Sequence, residues 1–125
     1  MSTNFRRIWL ALGWLWVMVV LWLSLTPHPP QPMTFEFSDK FEHGLAYFCL
    51  LTWFAVVLHA GSRRLSVIGL IAMGVLVEFL QGWSGYRYFE YADMLANSSG
   101  VLAGWLLMQV WGDGLVVKFF EVRVE

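Results

Sequence analysis

The chain has 125 residues, 58% hydrophobic and only 14% charged, with eight tryptophans and a formal net charge of -1. Soluble domains sit nearer half apolar and a quarter charged, and a chain this small hides only about 60–70% of its surface on folding, so water is a poor solvent for the excess. The near-neutral balance offers no electrostatic footprint for nucleic acid, and the single cysteine, Cys49, excludes an intrachain disulfide or a multi-cysteine metal site.

Four long apolar runs follow one another: 8–25, 44–60, 65–81 and 94–111. As helices each is about 25–27 Å long at ~1.5 Å per residue, near the lower limit for a hydrocarbon core of roughly 30 Å. Helix is the expected state because lipid offers no hydrogen-bond partners to an open backbone. The fold class expected is therefore an all-α membrane protein, with four transmembrane helices in one small bundle and a single domain over 1–125. The first run follows Arg6 and Arg7 but is too long for the apolar part of a secretory signal. Thr26-Pro27-His28-Pro29-Pro30 follows it where a small-residue cleavage site would stand, so it is read as an anchor. Prolines between Pro27 and Pro32 favour an extended stretch within an external segment, 26–43. Gly61-Ser62-Arg63-Arg64 reads as a tight polar turn between the second and third runs. A second external loop, 82–93, holds Trp83, Tyr86, Tyr88, Phe89 and Tyr91 around Arg87, a density that fits an aromatic belt at headgroup level. The segment after Gly112-Asp113-Gly114 mixes apolar and charged residues and reads as a short amphipathic element on the inner surface. With both termini cytoplasmic, Arg6, Arg7, Arg63, Arg64, Lys118 and Arg123 lie inside and only Lys40 and Arg87 outside, a positive-inside bias.

The polar residues cluster at one depth. Asp39, His43 and Tyr47 share a helical face at i, i+4, i+8, with Lys40 beside them; Glu78 and Gln81 close the third run; Asp93 and Asn97 open the fourth. Ala96, Gly100 and Gly104 form a small-residue ladder for close helix packing, which points Asp93 and Asn97 into the bundle. Asp39-x-x-x-His43 and Asp93-x-x-x-Asn97 repeat at an offset of 54 residues, the pattern of two parallel helical hairpins. Glu78 is the costliest of these residues, an acid about one turn inside the membrane. Burial favours its protonated form and a nearby Lys40 or Arg87 favours its carboxylate, so it stands open as acid, base or salt-bridge partner. No metal site or cofactor is expected, since His43 is the one well-placed histidine and no HExxH-like spacing occurs.

Three functions compete. In the first, Glu78, His43 and Asp93 exchange protons while Asp39, Lys40, Gln81, Arg87 and Asn97 bind an envelope lipid or lipid-linked precursor at the outer leaflet. Lys40 and Arg87 would hold an anionic head there. In the second, the rim network only pins helix ends, and the chain is a non-enzymatic scaffold or partner-binding protein. The third is a small proton-coupled transporter, for which four helices are few. Whether turnover occurs stays open at this point.

Ser24-Leu25-Thr26-Pro27, Asp39-Lys40-Phe41-Glu42-His43, Glu78-Phe79-Leu80-Gln81, Arg87-Tyr88-Phe89-Glu90 and Asp93-Met94-Leu95-Ala96-Asn97 resemble, in order and spacing, the blocks of the VanZ-like family. Each block is short, but five in sequence cover most of the chain. The resemblance implies a bacterial, multi-pass inner-membrane protein of the cell envelope. It also implies a link to glycopeptide antibiotic resistance, since the family is named for a member associated with resistance to teicoplanin. The family often carries an acid near Glu90 as well as at Asp93, which makes Glu90 a secondary site residue.

Overall fold

The computed structural model describes residues 2–26, 38–58, 60–85 and 89–120, with the backbone alone at 60 and 113–120. Among these residues there are four helices and no strand: α1 (Thr3–Leu25), α2 (Ser38–Val57), α3 (Ala60–Trp83) and α4 (Tyr91–Phe120). α1 and the stretch Gly61–Trp83 of α3 are long and apolar enough to cross a membrane. The first turns of α2 carry Asp39, Lys40 and Glu42, and those of α4 carry Asp93, Asn97 and Ser98.

Every helix is longer than the apolar run that announced it. Hydropathy marks the part of a helix that suits lipid, whereas backbone hydrogen bonds continue into its polar ends. Ser38–His43, assigned above to an external loop, form the first turns of α2, and Asp39 there suits the positive end of the helix dipole. Gly61–Arg64 are not a turn but the start of α3; Ser66 Oγ bonds the Ser62 carbonyl, and Arg63 Nε reaches back 2.8 Å to the Ala55 carbonyl near the end of α2. The expected amphipathic element after Gly112 is likewise the continuation of α4 to Phe120. Two glycines cost a helix only about 1 kcal/mol each and did not end this one. The proline stretch, Tyr86, Arg87, Tyr88 and residues 121–125 lie outside the described residues.

Side-chain contacts give the relative directions. Trp9 and Trp53 stack with ring centroids 3.8 Å apart, and each indole N–H donates to the other's backbone carbonyl, at 2.7 and 2.9 Å. Arg6 Nε donates to the Val57 carbonyl at 3.4 Å, so α1 and α2 are antiparallel. Gln81 meets Ser24, which sets α3 beside and parallel to α1. Gly44 lies against Ala96 and Gly100, and Phe48 against Gly104, so α2 and α4 run parallel, in line with the 54-residue offset.

α2 is the central element, packed against the other three and most extensively against α4. Tyr47, Leu50, Leu51 and Phe54 of α2 form the core with Val17 and Val20 of α1, Leu70 of α3 and Val101 of α4. A Cβ at Gly100 would stand 2.0 Å from the Gly44 carbonyl oxygen, so the α2–α4 crossing exists only because that position has no side chain. The outside of the bundle is apolar. Trp14, Met18 and Trp22 of α1, Ile68 and Leu76 of α3, and Leu95 and Val110 of α4 all project away from the core.

Candidate functional site

The helix directions bring the C-terminal ends of α1 and α3 together with the N-terminal ends of α2 and α4. Asp39, Lys40, His43, Glu78, Gln81, Asp93 and Asn97, drawn from α2, α3 and α4, therefore lie at one end of the bundle. Of the described basic residues, Arg6, Arg7, Arg63 and Arg64 occupy the opposite end.

Glu78 is fully buried, one turn after Gly74 on α3. Its Oε1 accepts the backbone N–H of Glu90 at 2.6 Å, which folds the α3–α4 connection over the carboxylate. Gly82 permits that fold, since a Cβ there would sit 2.8 Å from Phe89 Cβ. The Glu90 carbonyl then accepts the Asp93 N–H at 3.1 Å and opens α4. Glu78 Oε2 has no hydrogen-bond partner among the described residues. His43, Asp93, Glu90 and Tyr47 all interact electrostatically with this carboxylate.

Besides Asp93 Oδ1, which meets Lys40 as an ion pair, two further buried oxygens share this condition. The Tyr47 hydroxyl and Asn97 Oδ1, in residues each 2% exposed, make no hydrogen bond among the described residues. They belong to one neighbourhood: a Cβ at Gly74 would lie 3.2 Å from Asn97 Cβ and 3.4 Å from Tyr47 Cε1. A buried polar atom left in this way costs about 1–3 kcal/mol, and several in one neighbourhood concentrate that cost. Such a cost points to a place that accepts a donor.

Lys40 lies just outside this group. Its Nζ pairs with Asp93 Oδ1 at 2.5 Å, with Asp39 Oδ2 at 3.5 Å and with Glu90 Oε2. Partial burial works to lower its pKa, but hydrogen bonds and charge from Asp93 and Glu90 outweigh that and hold the ammonium above its ordinary value. Lys40, expected to hold an anionic head, donates a hydrogen bond to Glu90 and forms ion pairs with Asp93 and Asp39. His43 Nε2 stands 3.5 Å from Asp39 Oδ1. Gln81, 2% exposed, donates from Nε2 to the Ser24 carbonyl at 2.6 Å and so ties α3 to the end of α1. Arg87 lies outside the described residues. Among the described residues no three His, Cys, Asp or Glu side chains are grouped to hold a metal ion.

Tyr47 was placed on the Asp39–His43 face by its spacing but was not counted as a site residue, although that i+8 position was the signal for it. The bond from the Glu90 backbone to Glu78 had no sequence signal, because any residue carries an N–H. No family model, curated protein or solved structure matches the chain.

Proposed function

We propose that the chain is a four-span inner-membrane protein of the VanZ-like type, with both termini cytoplasmic, that binds an envelope lipid or lipid-linked precursor at its periplasmic rim. The apolar exterior supports a lipid surrounding, since monomeric proteins in water rarely expose contiguous apolar faces of this kind. The separation of Arg6, Arg7, Arg63 and Arg64 from the acidic end supports the orientation. Glu78 is the observation that carries the site. It is a fully buried carboxylate with one oxygen held by a backbone N–H and the other, among the described residues, without a partner, near two more buried oxygens in the same condition. Structural glue satisfies its own polar atoms, whereas the described residues leave these three without hydrogen-bond partners. In this reading Glu78 and His43 exchange a proton, Asp39 orients His43, and Asp93 and Asn97 position the bound head.

Native mass spectrometry of the purified protein tests the site. Wild type should retain a distinct lipid headgroup class that Glu78→Gln, which keeps an acceptor for the Glu90 N–H, loses at unchanged protein yield. Equal lipid profiles in the two proteins would favour the scaffold alternative. Orientation is tested in a Cys49→Ala background with single cysteines at Ser84 and Ser62. An impermeant maleimide applied from the periplasm should label position 84 and leave position 62 unmodified; the reverse pattern would invert the topology.

A further inference from the structure

We propose that the head taken at this rim carries a primary amine, and that one acyl chain of the same lipid lies in the groove between α2 and α4. The inference rests on the lipid-binding reading above and names the class of lipid. The charge at this end is the first argument. Among the described residues, Asp39, Glu78, Glu90 and Asp93 face Lys40 and His43, and the Lys40 ammonium is divided among three of those acids. A phosphate would meet a Lys40 charge already shared with Asp39, Glu90 and Asp93 and would be surrounded by those acids. An ammonium would find the side chains of Asp39 and Glu90 still 41% and 48% exposed.

Hydrogen-bond valence is the second argument. Among the described residues, Glu78 Oε2 and Asn97 Oδ1 are acceptors without a donor, and the Tyr47 hydroxyl in the same neighbourhood has no hydrogen-bond partner and can accept. A primary ammonium brings three N–H donors, whereas a quaternary ammonium of the same charge brings none. The third argument is the groove. It has a volume of about 600 Å³ and runs from Lys40 past Gly44 and Phe48 of α2 and Ala96, Gly100 and Ala103 of α4. Ligand clefts generally hold roughly 300–1,000 Å³. The groove is apolar, opens to the outside of the bundle, and begins at the residue that gathers the acids. An amphiphile with an amine head and a hydrocarbon chain matches both parts at once.

The test offers the full-length protein in detergent equimolar dioleoyl phosphatidylethanolamine, phosphatidylcholine and phosphatidylglycerol, read by native mass spectrometry. Phosphatidylethanolamine should be retained about tenfold over each of the others, the size of one or two hydrogen bonds to a charged group. Asp39→Asn, at a half-exposed position, and Ala103→Leu, which fills an exposed part of the groove, should each reduce that retention severalfold while the protein stays folded. Phosphatidylcholine held as well as phosphatidylethanolamine would overturn the amine assignment and leave the lipid reading standing, as would a preference for phosphatidylglycerol. Wild-type retention by Ala103→Leu would overturn the seat of the chain. Indifference to all three lipids would remove both this inference and the lipid-binding function.

Discussion

Gly100→Ala is expected to be the most damaging single-methyl change in the bundle. The added carbon would stand 2.0 Å from the Gly44 carbonyl oxygen and 3.0 Å from Gly44 Cα, and both of those atoms are backbone. No rotamer change relieves such a clash, so α2 and α4 must separate along their most extensive contact. Overpacking a close-fitted interior costs about 1–3 kcal/mol, and a backbone-on-backbone clash belongs at the upper end of that range. Gly69→Ala is the matched control, because a Cβ there meets nothing within 4 Å. That substitution should be neutral or stabilising by up to about 1 kcal/mol through helix propensity alone. Unfolding midpoints of the two variants, measured in one detergent, give the comparison. If Gly100→Ala melts with wild type, the close α2–α4 crossing is wrong and the groove described beside it goes too.

Gly100 also shows what the sequence could reveal. The ladder of Ala96, Gly100 and Gly104 announces a close helix contact, and the 54-residue offset names α2 as a parallel partner; the structure places Gly44 and Phe48 against those glycines. The number of helices was readable because a helix must carry a run of apolar residues wherever it meets core or lipid. Its ends were not, because residues such as Ser38–His43 and Gly61–Arg64 satisfy backbone hydrogen bonds without being apolar. That Glu78, Asp93 and Asn97 share one end of the bundle was readable from their positions at the ends of successive runs. Their partners were not. The Glu90 N–H that holds Glu78 and the Ser24 carbonyl that holds Gln81 are backbone groups, common to every residue and silent in a sequence. The partners of Lys40 were hidden for a related reason: a lone cation in a sequence looks available until the fold delivers Glu90 and Asp93 to it from a stretch some fifty residues away.

Removing that cation should show how far the acids depend on it. Lys40→Met would leave the Asp93 side chain, 7% exposed, beside Glu90 and Asp39 with no counter-ion from this position. Breaking a buried pair by deleting one partner costs about 3–5 kcal/mol. Because the Lys40 side chain is 26% exposed, solvent screens part of this, and about 1–3 kcal/mol is the expected loss. Asp93→Asn alone should cost less, since Glu90 and Asp39 still hold the ammonium. The double variant should cost less than the sum of the two, with a coupling of about 1–2 kcal/mol. The sign of the pH dependence follows from the raised pKa of Lys40. Its contribution is complete below the ordinary lysine value and is lost only as pH rises through the higher value of the folded state. The difference between wild type and Lys40→Met should therefore be the same at about pH 7 and about pH 9 and shrink only in stronger alkali. Additive losses would mean that Lys40 is an ordinary solvated surface charge, and a difference already shrinking at pH 9 would mean that burial outweighs its carboxylate partners. The Asp39–Glu90–Asp93 cluster would then lack an internal counter-ion at Lys40.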